Sequence, residues 1–318
     1  PYTTLFRSVI IMFTVPWGQL PDQEWAEEDR NPSCLGEFVW TGFDYLGEPT
    51  PFNADLTILT NFHDEEAKAR AEKELKEIGA IATPSRSSYF GIIDLAGFPK
   101  DRYWLYKSRW SSEPVLHLMP HWNWPGREGK ITPVQAYTNC AEAELFVNGK
   151  SYGRKAKGAN EYRFLWDNVV YEPGTVRVVG RTADGKTIES AVATSGSPAK
   201  ILMAREYGSG PSTEFGGDCA PARSRTYSSE DIVFVDVKVA DRDGNMVPTA
   251  SDRLRFSVSG PGEIVAVDAG DATCHTPFRS DEIKAFGGLA SVIVRRTGTG
   301  TVILRAESEG LEAGETEL

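Results

Sequence analysis

Residues 134–155 read VQAYTNCAEAELFVNGKSYGRK. Apolar and polar side chains alternate on both sides of Asn148-Gly149. Asn-Gly is the dipeptide that a two-residue hairpin turn prefers, because both central residues must take positive φ. A period of two over this length makes the stretch a half-buried antiparallel hairpin and not a helix. VRVVGRTADGKTIESAVAT, residues 176–194, repeats the pattern around Asp184-Gly185. Residues 115 to about 197 are therefore expected to form a small immunoglobulin-like antiparallel β-sandwich.

Downstream, Gly196-Ser197-Pro198 is linker-like, and a second all-β unit follows over residues 198–318. Its strands are expected at 231–241, 253–260, 262–268, 289–297 and 301–308, with turns at Asp243-Gly244-Asn245 and Gly260-Pro261-Gly262. The two units share an architecture but no sequence repeat. Upstream of Glu113-Pro114 the period changes to about 3.6. KDRYWLYKSRW (100–110) and DQEWAEEDR (22–30) read as helices, the second with acids early and Arg30 last, as the helix dipole favours. A polar surface helix is expected over 63–78, with Ala67, Ala71, Leu75 and Ile78 on one stripe and Gly79 as its stop. Pro1 to Ser8, PYTTLFRS, resembles a translated sequencing-adaptor end. Residues 1–16 are set aside as a candidate artefact, and a start at Pro1 marks the chain as an expected piece of something longer.

The chain has 318 residues and a net charge of −11. This acidic balance, without any basic run, excludes a nucleic-acid groove. The longest apolar run, residues 9–13, is far too short to span a bilayer, and no secretory-signal pattern is present. Cys34, Cys140, Cys219 and Cys274 include no CxxC pair, which argues against a zinc site. Cys219 and Cys274 share the last unit and could bridge; four reduced thiols is the favoured reading.

The chemistry-bearing stretch is GEFVWTGFDYLGEP, residues 36–49. It opens like a buried strand at Phe38, Val39 and Trp40, then breaks at Gly42 into an aromatic, acidic loop. Such a loop suits a sugar site, since an indole face matches the C–H face of a pyranose. Glycoside hydrolysis uses two carboxylates across the scissile bond, and Glu37, Asp44, Glu48 and Asp94 are the nearby acids. Spacing selects no pair among them. Asp44 and Glu48 lie on the loop side, as substrate contacts or as residues that order the loop. Trp122 and Trp124 in HWNWPG are either a carbohydrate platform or, preferably, a packing turn. His117 and His121 are not a helical metal pair, because Pro120 intervenes. Asp241, Asp243 and Asn245 are a hairpin turn and not a calcium loop, which would need a closing Glu.

Two segments, FVWTGFDYLGEPTPF (38–52) and SRSSYFGIIDLAGFPKDRYWLYKSRW (85–110), resemble the last strand and final helix of the catalytic barrel in family 2 glycoside hydrolases, the β-galactosidase group. PHWNWPGREGKITPVQAYTNCAEAELFVNGKSYGRK (120–155) resembles the sandwich that follows the barrel. PAKILMAREY (198–207) and FSVSGPGEIVAVDAGD (256–271) resemble a further β-domain. The resemblance covers almost everything after Trp17. It implies the C-terminal end of a (β/α)8 TIM barrel over residues 1–114, followed by two immunoglobulin-like β-sandwich domains at 115–197 and 198–318. It also implies a retaining hydrolase of terminal β-galactosides or related β-glycosides, with a carbohydrate partner, no cofactor and a periplasmic or secreted location. Both catalytic glutamates would lie upstream of residue 1, so this chain alone is expected to be inactive. The one Asn-Glu pair, Asn160-Glu161, falls in the wrong unit. Trp40 maps onto the tryptophan that lines the sugar subsite, with Asp44 and Glu48 as weaker substrate-binding candidates. Some members bind sodium through an Asn before the glycine that is Gly91 here; Phe90 occupies that place, and no such metal is expected. The rival reading is a non-catalytic binding or adhesion module built on the two sandwiches, with Trp122 and Trp124 exposed.

Overall fold

The computed structural model describes residues 21–48, 85–205 and 232–318, together with positions 65 and 69. The helix expected over 63–78 therefore falls almost wholly outside the described residues. Two helices are described, α1 (Pro21–Arg30) and α2 (Asp101–Trp110).

The strands β1 (Leu116–Met119), β2 (Val134–Thr138) and β5 (Arg163–Trp166) form one sheet in the order β1-β2-β5. Facing it are β3 (Glu142–Val147), β4 (Lys150–Ala156), β6 (Thr175–Arg181) and β7 (Thr187–Ala193), in the order β4-β3-β6-β7. The Asn-Gly hairpin forms as its sequence requires: Asn148 and Gly149 have φ of 50° and 80°, and Val147 pairs with Lys150 across the turn. Alternation along β3 buries Ala143, Leu145 and Val147. Along β2 every residue is buried, and the two faces go to different cores. Val134 and Ala136 join Leu145, Phe164, Trp166 and Val178 between the sheets. Tyr137, from the other face, joins Trp25, Trp104, Leu105 and Tyr106 of the two helices. A helical layer thus covers the outer face of the first sandwich, and β2 is its shared floor.

The second sandwich pairs β12-β10-β14-β15 with β11-β13-β9-β8. Its strands are β8 (Lys200–Arg205), β9 (Ile232–Ala240), β10 (Arg253–Ser259), β11 (Gly262–Asp268), β12 (Glu282–Lys284), β13 (Leu289–Arg296), β14 (Ile303–Glu307) and β15 (Gly314–Glu317). Val235, Val237, Phe256, Val292 and Leu304 fill the space between the sheets. No helix among the described residues is long and apolar enough to cross a membrane. Cys34, Cys140 and Cys274 are free thiols, while Cys219 lies outside the described residues.

The linker is fixed from both sides. Asn123 of the first sandwich exchanges hydrogen bonds with Ser195: Ser195 N donates to Asn123 Oδ1 at 3.0 Å, and Asn123 Nδ2 donates to Ser195 Oγ at 2.7 Å. Gly196 N then donates to Asp241 Oδ2 of the second sandwich at 2.8 Å. Asp241 Oδ1 accepts from the backbones of Asp243 and Asn245, so the expected hairpin turn is organised around this one carboxylate. Burial raises the Asp241 carboxyl, but these hydrogen bonds outweigh it and hold the group below the ordinary carboxylate range. A depressed carboxyl adds stability that is complete above its unfolded pKa of about 4 and is lost as pH falls through the folded value. Asp241→Ala is expected to cost about 1–3 kcal/mol at pH 7, through buried donors left unpaired. Urea unfolding of both proteins at pH 7 and pH 3 checks this, and the difference between them shrinks at the lower pH.

Candidate functional site

The acidic, aromatic stretch 36–48 lies against α1, α2 and the segment 85–94. Phe38, Val39 and Trp40 do not form the buried strand expected of them. Val39 packs against the helical core, while Phe38 and Trp40 are 102 % and 71 % exposed. Among the described residues no neighbouring strand lies alongside 38–40, and a strand is stable only when its ladder groups are paired. Pairing starts at Thr41 instead. Ile92 N donates to Thr41 O, Ile93 N to Gly42 O and Asp44 N to Ile93 O, each at 2.9 Å. The Trp40-Thr41 peptide is cis at this transition.

The four acids separate into distinct surroundings. Glu37 is tied back to α1, its Oε1 accepting from Trp25 Nε1 at 2.7 Å. Burial, with Glu37 beside it, pushes the Glu24 carboxyl up to about 7. Asp44 is buried. Its Oδ2 lies 2.5 Å from Lys100 Nζ, and its Oδ1 accepts from Gly91 N at 2.8 Å and Ser88 Oγ at 3.4 Å. Lys100 Nζ also donates to Tyr89 O at 3.1 Å. Burial raises the Asp44 carboxyl and lowers the Lys100 ammonium, with each charge opposing the shift of the other. Gly91 is the residue that permits this approach, since a Cβ there would meet Asp44 N at 2.1 Å. Glu48 is exposed and accepts from the hydroxyl of Tyr45, whose ring meets Phe90 edge-on at 5.6 Å. Asp94 is buried, its Oδ1 accepting from Phe98 N at 2.9 Å.

Of the three candidate sugar-binding residues, Trp40 and Glu48 reach the surface and Asp44 faces inward. Lys100 and Arg86, which organise this loop, were not singled out by the sequence. Each is an ordinary basic residue in its own segment, and their partners are brought to them only by folding.

The HWNWPG tryptophans are not a surface platform. Trp122 is 1 % exposed, donates to Glu172 O at 2.8 Å and meets Tyr171 edge-on at 5.0 Å. Trp124 is half-buried, donates to His121 O at 2.7 Å and stacks on His121 at 4.1 Å. Both pack within the first sandwich, Trp122 in its core and Trp124 against it. Burial pushes His121 down to about 4, while His117 contacts Asp101 at 2.8 Å and stacks on Trp104. The two histidines therefore face separate partners. Among the described residues no three His, Cys, Asp or Glu side chains cluster as a metal site.

Residues 221–317 match the glycoside hydrolase family 2 C-terminal domain 5, and residues 129–189 match a domain of unknown function, DUF4982. The chain is 39 % identical over 300 residues to beta-galactosidase BoGH2A of Bacteroides ovatus, an alignment covering 93 % of this chain and 30 % of that protein. It is 28 % identical over 225 residues to a beta-glucuronidase of Formosa agariphila, covering 70 % of this chain and 21 % of that one. A beta-glycosidase crystal structure from Bacteroides vulgatus superposes with a TM-score of 0.73 at 29 % identity, over 93 % of this chain and 32 % of the other. The chain thus spans less than a third of the length of these relatives.

Proposed function

This chain belongs to glycoside hydrolase family 2, and we propose that it forms part of a retaining β-glycosidase that removes terminal β-galactosyl groups. Residues 1–114 complete a catalytic (β/α)8 barrel in this reading, with sandwich domains at 115–197 and 198–318. The exposed apolar side chains of Leu35, Phe38, Phe43 and Leu46 support it, because a barrel's remaining strands would cover such a face. The catalytic pair is supplied from outside these 318 residues: one glutamate attacks the anomeric carbon, and the other protonates the leaving oxygen, then activates water. The chain's own contribution is a wall. Trp40 offers its indole face to the sugar, Glu48 stands at the rim, and Asp44 holds the loop from beneath.

The observation that carries this reading is the 39 % identity to a named β-galactosidase along 93 % of the chain. A galactoside suits the wall better than a glucuronide. Glu48 is the exposed acid of the wall, and residues 36–48 carry no Lys or Arg, so a uronate carboxylate would meet like charge at the rim with no cation of this stretch to receive it. In this reading the enzyme acts on a carbohydrate in the periplasm or outside the cell, a location supported by the family resemblance alone.

Calorimetric titration of the chain with a β-galactoside and with the matching β-glucuronide tests this proposal. The galactoside is expected to bind weakly and the glucuronide more weakly still. Trp40→Ala abolishes galactoside binding while changing stability by no more than about 0.5 kcal/mol, as for an exposed side chain. An aryl β-galactoside is not turned over by the chain alone; turnover would place the catalytic pair inside it and overturn the reading.

A further inference from the structure

The loop that carries Tyr45 and Glu48 is held by a residue whose partners lie about 190 positions away. Arg86 sits in the middle of three strands of chain. On one side its carbonyl accepts from Gly47 N at 3.0 Å, and next to it Ser88 N donates to Tyr45 O at 2.9 Å. On the other side Arg86 N donates to Ala272 O of the last sandwich at 2.8 Å. Its guanidinium continues in that direction. Nη1 donates to Thr276 O at 3.1 Å, Nη2 lies 3.4 Å from Asp268 Oδ2, and the group stands 4.4 Å above the Phe278 ring. Both charged side chains of this pair are largely buried, so the contact is screened little by water.

The receiving loop is itself rigidly built. Asp268 Oδ1 accepts from Ala269 N and Gly270 N, and Asp271 Oδ1 accepts from both the backbone N and the hydroxyl of Thr273. Gly270, at φ 74°, lets the loop press against the segment 85–94, since a Cβ there would meet Asp94 Oδ2 at 2.2 Å. A planar, five-donor side chain clamped between a carbonyl, a carboxylate and an aromatic face is fixed in direction as well as in place.

We propose that residues 268–278 of the last sandwich, acting through Arg86, position the 44–48 edge of the sugar wall, so that the C-terminal domain sets how tightly the wall holds its ligand. Arg86 is a positioning residue in this arrangement and touches no substrate. The proposal rests on the galactoside-wall reading for its ligand and on the Arg86 geometry for its coupling, and the two are separable by experiment.

Amide hydrogen exchange on the full chain tests the coupling. Arg86→Ala is expected to speed exchange at Gly47 and Ser88 by about tenfold, the effect of releasing roughly one hydrogen bond's worth of local protection. Asp268→Asn shifts the same amides in the same direction by less, and Arg86→Lys, which keeps the charge, restores part of the protection. Amides of β13 stay unchanged in all three. Arg253→Ala, which removes an exposed pair with Glu282 elsewhere on the same sandwich, leaves both regions alone. Unchanged exchange at 44–48 in Arg86→Ala overturns the proposal, and so does a uniform rise across β13, which would make Arg86 a general stability residue. Titration with the β-galactoside then reads the consequence: Arg86→Ala weakens binding severalfold and Arg86→Lys less. Altered exchange without any galactoside binding by the wild-type chain would sink the sugar reading and leave the coupling standing.

Discussion

Lys100→Met is expected to lower the stability of the chain by about 3–5 kcal/mol, the cost of removing one partner from a buried ion pair. The reason lies in what remains. Lys100 and Asp44 side chains are 4 % and 5 % exposed, and with the ammonium gone the Asp44 carboxylate has no counter-charge at 2.5 Å and little water. It will take up a proton, and its folded pKa will rise further above the unfolded value. A raised carboxyl contributes stability that is present below its unfolded pKa and lost as pH rises through the folded one. The deficit of Lys100→Met should therefore be smaller at pH 4 than at pH 7. Asp44→Asn in the same background keeps an acceptor for Gly91 N and removes the charge. The double variant is expected to recover about 1–3 kcal/mol relative to the sum of the single changes. Urea midpoints at constant slope decide the matter. Additive losses would mean that the two side chains do not depend on each other.

Trp122→Ala is expected to cost a comparable amount, about 3–5 kcal/mol, from a different source. The indole fills the end of the first sandwich against Tyr171, and its removal leaves a cavity that the surrounding strands cannot close. It also leaves Glu172 O without its 2.8 Å donor. Trp122→Phe keeps most of the volume and is expected to lose less than half as much. Thermal and urea unfolding measure both. A negligible loss would return Trp122 to the surface and revive the binding-module alternative. The contrast with Trp40 is instructive: the same residue type is expected to matter for folding at one position and for ligand contact at the other, because one ring is enclosed and the other is 71 % exposed.

The strands of both sandwiches were legible because local sequence and tertiary demand agree there. Alternation in residues 142–147 and 232–240 matches faces that are buried and half-buried in turn, and Asn148-Gly149 has the one turn geometry its residues favour. The helices at 21–30 and 100–110 were legible for the same reason. Residues 38–40 have the composition of a buried strand but no pairing neighbour among the described residues, since composition reports an inclination to pair and cannot supply the neighbour. The HWNWPG turn was hard to place for the converse reason. Two tryptophans on a turn look alike whether they face solvent or a core, and only the path after Pro120 buries them.

Periodicity and turn chemistry are local properties, so the two β-units, the flanking helices and the aromatic, acidic stretch at 36–49 are readable from residue order alone. The sequence identified Trp40, Asp44 and Glu48 alike as candidates and could not tell which of the two acids faces outward. Only the tertiary structure turned Asp44 inward onto Lys100, 56 residues away in sequence, and joined Arg86 to Asp268 across 182 residues. The physical reason is that a buried charge requires a counter-charge in space, and the chain carries no local mark of which distant segment will provide it.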